Sequence, residues 1–291
     1  MYRKRFSRIF IWLGLTTAAW DLPAMAHPPV SLVMDSRGNI FYSDLKNVWM
    51  IQPDGSKTIA VANVHTHELW LSAEDVLFGE DVTNSGDNYR HRVWKRHPDG
   101  RIEDEIPWRS GHPTELADYA FARDAELLSY ILRHADKKID VRDEQGKLLR
   151  SIGYGQFEGF PHWLMALPDG TAYFTVGDAL LKIAPNAKAV SKVADGLVER
   201  SLPFAFVHDR HALMGLWPGK AGEVYVAVYR GQVVKKITAD GQVSAVVRSK
   251  GMWSPAGGLL ADDGALWILE FSSSNKTRLR RIAKDGRETI F

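Results

Sequence analysis

The side chains of this chain best suited to chemistry are its histidines, and six of the ten fall into four short clusters. His65 and His67 flank Thr66 and are followed by Glu68, His112 precedes Glu115, Glu158 precedes His162, and His208 precedes His211. Alternate residues of an extended strand face the same way, so His65 and His67 form a pair of imidazoles on one side. Such a pair can supply half of a divalent metal site, zinc or calcium, which another imidazole or a carboxylate completes. A neutral imidazole is also the group best matched to proton transfer near pH 7. The same pair could instead pack and hydrogen-bond strand entrances beside Trp70 and Trp163, and the spacing does not choose between these uses.

Further candidates are Glu80, Asp81 and His91, then His134, and finally Glu270. The stretch from Glu80 to His91 is rich in Asp and Asn but lacks the Asp-x-Asp-x-Asp-Gly order of a calcium loop. Gly153-Tyr154-Gly155 with Gly159 has the wrong spacing for a nucleotide fingerprint, and no Gly-x-Ser-x-Gly elbow occurs. The chain has no cysteine, which removes disulfides and thiolate ligands from consideration.

Residues 1–26 read as an export signal. Arg3, Lys4, Arg5 and Arg8 precede an apolar run from Ile9 to Trp20, and Ala24-Met25-Ala26 supplies a small-x-small cleavage pattern. The run is shorter than the roughly 20 residues a membrane span needs, so a periplasmic or secreted protein with no span after cleavage is expected. Cleavage there would expose His27 as an amino-terminal chelator, a weaker candidate. Removal of this segment takes away four basic side chains and one acidic one and leaves the remainder near neutrality, with no stripe of positive charge. Nucleic acid is therefore not an expected partner.

Two series of turns must position these residues. The first comprises Ser36-Arg37-Gly38, Ala73-Glu74-Asp75, Asp124-Ala125-Glu126, Pro168-Asp169-Gly170, Lys220-Ala221-Gly222 and Asp262-Asp263-Gly264. Each leads into a short β-branched or aromatic run, such as Ile40-Phe41-Tyr42, Ala172-Tyr173-Phe174 or Leu266-Trp267-Ile268. The second series, from Pro53-Asp54-Gly55 to Lys284-Asp285-Gly286, follows in each unit and closes a second hairpin. Two interleaved series at a period of about 40–50 residues specify four strands per unit. Six units fill residues 27–291, which predicts an all-β, single-domain, six-bladed β-propeller with four antiparallel strands per blade. The first and last units both look complete, so no strand exchanged between the termini is needed to close the ring.

In that architecture both turn series lie on one face of the disc. The other face receives the connections leading into each innermost strand, where the histidine clusters lie, together with the loops between second and third strands. Residues far apart in sequence can then meet at the axis. The longest such connection, Asp195 to His211, carries Leu202, Pro203, Phe204 and Phe206, a pattern that suits either a lid or packing on a neighbouring blade.

The run from Asp35 to Asp44, continued by Val48-Trp49-Met50-Ile51 and Pro53-Asp54-Gly55, resembles an NHL repeat, and the stretch from Asp262 to Gly286 is similar. The resemblance extends over all six units and is sharpest in the first and last. It implies a propeller of the broad group that includes NHL proteins, gluconolactonase-type lactonases and streptogramin lyases. The lactonases hold a divalent ion with a Glu from the first connection, whereas Pro28 to Leu32 here contains no carboxylate, which argues against a standard lactonase. Streptogramin lyases use histidines and a glutamate for a ring-opening elimination. The expectation is an axial small-molecule site with His67, Glu68, His162 and His211 as catalytic groups. His65, His67, His112, His162 and Glu270 would be metal ligands, with Glu80, His91, His134, Phe204 and Phe206 on the substrate. The reaction would be lyase or lactone hydrolysis in a monomer. The alternative is a non-catalytic propeller that presents this face to another exported protein.

Overall fold

The computed structural model describes residues 28–85, 88–111, 122–124, 127–159 and 161–291. The expected export signal, His27, His112 and Glu115 lie outside them.

The described chain forms six four-stranded antiparallel sheets, each with its strands in chain order. The innermost strands are Leu32–Met34, Leu69–Leu71, Ala122–Arg123, Pro161–Ala166, Leu216–Pro218 and Trp253–Leu260. We number the blades 1 to 6 in that order. Each of the six hydrophobic runs legible in the sequence falls within or overlaps the second strand of its blade: Ile40–Ser43, Leu77–Ser85, Ser129–Arg133, Ala172–Val176, Val224–Val228 and Leu266–Ser272. A second strand is covered on both faces by neighbouring blades, and Ile40–Ser43, Ala172–Val176 and Val224–Val228 are buried at every residue. That double coverage explains continuous apolar runs where a one-sided sheet would alternate. The fourth strands, such as Lys57–Ala62 and Val243–Arg248, are mostly exposed.

The second turn series works as its residue types require. In Gln52 to Ser56 the Gly55 N–H donates to the Gln52 carbonyl at 2.8 Å with Gly55 at φ +85°, and the Ser56 N–H is capped by the Asp54 carboxylate at 2.8 Å.

The hub is closed by contacts between inner strands. The Val30 N–H donates to the His67 carbonyl at 2.9 Å, joining blades 1 and 2, and the Gly215 N–H donates to the Ala256 carbonyl at 2.8 Å, joining blades 5 and 6. Blade 6 meets blade 1 where Gly257 approaches the Val30 carbonyl so closely that a Cβ there would stand 2.0 Å from its oxygen. Blades 2 and 3 are joined by the Arg123 guanidinium over the rings of Trp70 and Phe78, at 5.3 and 5.5 Å. At the rim, the terminal Phe291 stacks on Trp267 and stands near Gly55 of blade 1. Blades 1 and 6 are each built from one end of the chain, as the turn count implied.

The stretch from Glu80 to His91 is mostly not a loop. It belongs to a long hairpin of blade 2 in which Leu77–Ser85 pairs with Asn88–Arg96, so Glu80 and His91 are strand residues.

Candidate functional site

The site lies on the face that carries the inter-blade connections. Its first part is the segment His65 to Glu68 leading into blade 2. Glu80, 1% exposed, holds this segment in place. Its Oε1 accepts the His67 N–H at 2.5 Å and the Glu68 N–H at 3.4 Å, while its backbone carbonyl accepts the Thr66 hydroxyl at 2.5 Å. The same Oε1 stands 3.5 Å from His67 Nδ1, and Oε2 is buried with no hydrogen-bond partner. With the His67 proton on Nδ1 toward this carboxylate, Nε2 carries the lone pair and can act as a base. The His65 N–H donates to Asp81 Oδ1 at 2.9 Å, and its ring Nδ1 lies 3.1 Å from the Leu45 carbonyl. The two imidazoles stand edge to face with centroids 4.8 Å apart. Burial lowers the His65 pKa, and the charge of His67 adds to the effect.

The second part comes from blades 4 and 5. His162, 5% exposed, places Nδ1 3.2 Å from the Arg210 carbonyl, so the long connection of residues 195–215 is tied directly to the innermost strand of blade 4. Burial pushes the His162 pKa down to about 4, and the charges of His211 and Arg230 act in the same direction. His211 is likewise pushed to about 4, first by burial and then by the charges of Arg210, His208 and His67. The last and smallest of these causes links two blades, since His67 lies on the connection into blade 2 and His211 on the connection into blade 5. In a six-bladed ring those blades face each other across the axis, which is consistent with both side chains lying toward the channel mouth. His67, His211 and His162 therefore form one electrostatically linked group, with the rings of His162 and His211 neutral at pH 7.

Arg230 is the residue that sequence reasoning missed. It lies in the loop Tyr229–Gly231 between the second and third strands of blade 5, is 4% exposed, and donates through Nη2 to the Val207 carbonyl and, at 2.5 Å, to Asp209 Oδ1. Its signal was available: it is a lone cation between two apolar runs, Val224 to Tyr229 and Val233 to Val234. Gln232 anchors the same connection, accepting from Ser201 Oγ at 2.9 Å and donating to the Gly251 and Trp253 carbonyls at 2.9 and 2.7 Å.

Other expected members lie elsewhere. Glu270 is fully buried within blade 6, where its carboxylate accepts from Arg278 Nε at 2.6 Å and Ser249 Oγ at 2.5 Å and stands 3.0 Å from Arg280 Nη2. Its carboxylate is taken up by two guanidiniums and a serine hydroxyl within blade 6. His91 is fully buried with Nδ1 3.1 Å from the Gly111 carbonyl, a structural position. His134 is exposed on a loop of blade 3. Phe204 and Phe206 divide: Phe204 is buried edge-on against Tyr229 at 4.9 Å, whereas Phe206 is 87% exposed. Among the described residues no three His, Asp or Glu side chains are grouped so as to hold a metal ion.

The depressed imidazole pKa values make acid a selective stress. Between about pH 6.5 and pH 4 the unfolded chain binds protons at His162 and His211 that the native protein does not. Stability should therefore fall as pH drops through that window and, from these groups, no further below it. For the buried His162 the loss is on the order of 3 kcal/mol. Denaturant midpoints measured at pH 7 and pH 4.5 check this, and His162→Gln should flatten the difference relative to the unsubstituted protein.

No protein-family model matches the sequence, and no curated protein matches it. Solved structures do. A streptogramin B lyase shares 14% identity with a TM-score of 0.56 over 91% of this chain and 83% of its own. A putative oxidoreductase (glucose dehydrogenase) from Thermus thermophilus shares 13% identity with a TM-score of 0.56 over 91% and 96%. A gluconolactonase from Xanthomonas campestris shares 15% identity with a TM-score of 0.50 over 83% and 84%. At these identities the likeness concerns the fold, and it places the chain among six-bladed β-propellers of the kind found in streptogramin lyases and gluconolactonases.

Proposed function

We propose that the protein is an exported, monomeric propeller enzyme that opens a cyclic ester or related ring in a small molecule at the mouth of its axial channel, with His67 and His211 as proton-transfer groups. The arrangement that supports this most is geometric: Glu80 braces the His67 segment, and His162 is bound to the Arg210 carbonyl next to His211, on connections entering the inner strands. His67, with Glu80 behind its Nδ1 and a lone pair on Nε2, suits the role of base, and His211, neutral at pH 7, suits the role of the ring that donates its N–H proton to the departing oxygen and is then reprotonated. His162 holds the carbonyl of Arg210 and so positions His211. The buried Arg230, bound to the Val207 carbonyl and to Asp209, fixes the connection that carries His211. Among solved propellers of this shape is a virginiamycin B lyase from Staphylococcus aureus whose histidine-to-alanine variant is described as catalytically inactive, which is consistent with histidine chemistry on this architecture.

The expected metal ligands do not fit together among the described residues. Glu270 is held by Arg278 and Arg280, and among the described residues no third ligand groups with His65 and His67. No step of the proposed reaction is therefore routed through a metal.

In a screen of lactones and cyclic depsipeptides, His67→Ala and His211→Ala should each lower turnover by about 10²-fold or more with little change in thermal midpoint. Unchanged turnover in both variants contradicts the assignment. A second reading, display of this face to an exported partner, is favoured by the exposure of Leu202 and Phe206 at 72% and 87%. Under that reading Phe206→Ser abolishes partner capture and no ring-opening activity is found.

A further inference from the structure

Between the outer strands of blades 5 and 6, at the perimeter of the disc and away from the axial histidines, lies a groove of about 480 Å³. That volume falls within the range of small-molecule sites. One wall is Val246 to Arg248 of the fourth strand of blade 5, with Lys250 beyond it. The other is the third strand of blade 6, with Arg278, Arg280 and Ile282, and the edge residues Glu288 and Ile290.

The charge of this lining is unbalanced. Four cations, Arg248, Lys250, Arg278 and Arg280, stand against three carboxylates: Glu199 accepts from both terminal nitrogens of Arg248 at 3.1 Å, the buried Glu270 pairs with Arg278 and Arg280, and Glu288 stands 3.7 Å from Arg280, so the excess is one positive charge, on the Lys250 side of the groove. The cations are also fixed in place. Arg278 is held by Glu270 at 2.6 Å and lies over the Trp253 ring at 4.2 Å. Arg280, whose side chain is 7% exposed, reaches the Arg248 carbonyl at 3.4 and 3.5 Å and Glu270 at 3.0 Å, yet its buried Nε has no acceptor. Beside these cations, Val246 and Ile290 leave 40% and 50% of their surface exposed. Guanidiniums fixed by buried partners pair with an oxyanion at a smaller entropic cost than free surface cations do, and an aliphatic wall next to them has no use for a purely inorganic ion.

We propose that this groove binds a small aliphatic oxyanion, its carboxylate or phosphate head on Arg248, Lys250 and Arg278 and its hydrocarbon body along Val246, Ile282 and Ile290. The site is separate from the axial one and independent of the reaction proposed there.

The test titrates the full protein with hexanoate, hexyl phosphate, hexylammonium and hexanol while following the Trp253 indole resonance by NMR, assigned with Trp253→Phe. One or both anions should shift that resonance saturably, the tighter of the two identifying the head group, and the cation and the alcohol should not. The double variant Arg248→Ala/Lys250→Ala, both side chains being exposed, should keep its thermal midpoint and weaken anion binding at least tenfold. His67→Ala should leave anion binding unchanged. Failure of both anions to bind, an equal response to hexanol or hexylammonium, or undiminished affinity in the double variant overturns the proposal.

Discussion

Gly257→Ala should destabilise the protein by about 3 kcal/mol, because its new methyl group would meet a backbone oxygen at the hub. A Cβ at this position would lie 2.0 Å from the Val30 oxygen and 2.8 Å from its carbonyl carbon, and neither atom belongs to a side chain that can rotate away. Gly215 approaches the same oxygen, so relief in one direction is blocked by the neighbouring blade. The strands of blades 1, 5 and 6 meet here, and the cost is one of closing the ring. Gly153 provides the control, since nothing lies within 4 Å of its Cβ position, and Gly153→Ala should change stability by less than about 0.5 kcal/mol. Denaturant unfolding of both variants measures the difference. Equal stability would mean that the hub is looser than described.

Glu270→Ala should be of similar severity, about 3–5 kcal/mol, by leaving Arg280 and the part-buried Arg278 without their shared counter-charge. Glu270→Gln should cost less, since an amide oxygen can still accept from Ser249 or one guanidinium. These variants also separate two roles for the residue. A structural ion pair predicts loss of stability in proportion to loss of charge, with turnover per folded molecule unchanged. A ligand at the axial site predicts the reverse, and chemical denaturation combined with activity measurements distinguishes them.

The parts of this protein that were legible in its sequence are those where local chemistry and global position coincide. Ile40-Phe41-Tyr42 and its five counterparts were readable as second strands because such strands are covered on both faces and so begin as continuous apolar runs. Turns such as Asp54-Gly55 were readable because they need a left-handed residue and a capping carboxylate, which few side chains supply. The rings of His65 and His67 do stand together, although residues 65–67 precede the strand Leu69–Leu71 and strand alternation is not what pairs them.

Elsewhere the sequence carried less information. Glu80 was grouped with the following Asp and Asn residues as part of a loop, although its neighbours Leu77 and Phe78 already began a long strand. Its use as the brace of the His67 segment depends on a contact across an inter-blade connection, which no local pattern encodes. Phe204 and Phe206 differ only in which side of a single 3-10 turn each occupies, and one is buried while the other is exposed. The fate of Glu270 was partly readable: it lies directly opposite Arg278 once the hairpin register is fixed, but Arg280 reaches it from two residues further along the same strand.

The most direct test of the account is the proton titration of His211, followed by NMR and assigned by substitution, in the unsubstituted protein and in His67→Gln. If the two rings meet at the channel mouth, His211 titrates near pH 4, and removing His67 raises that midpoint. A midpoint near 6.5 that is indifferent to His67 would place the two rings apart and contradict the axial site.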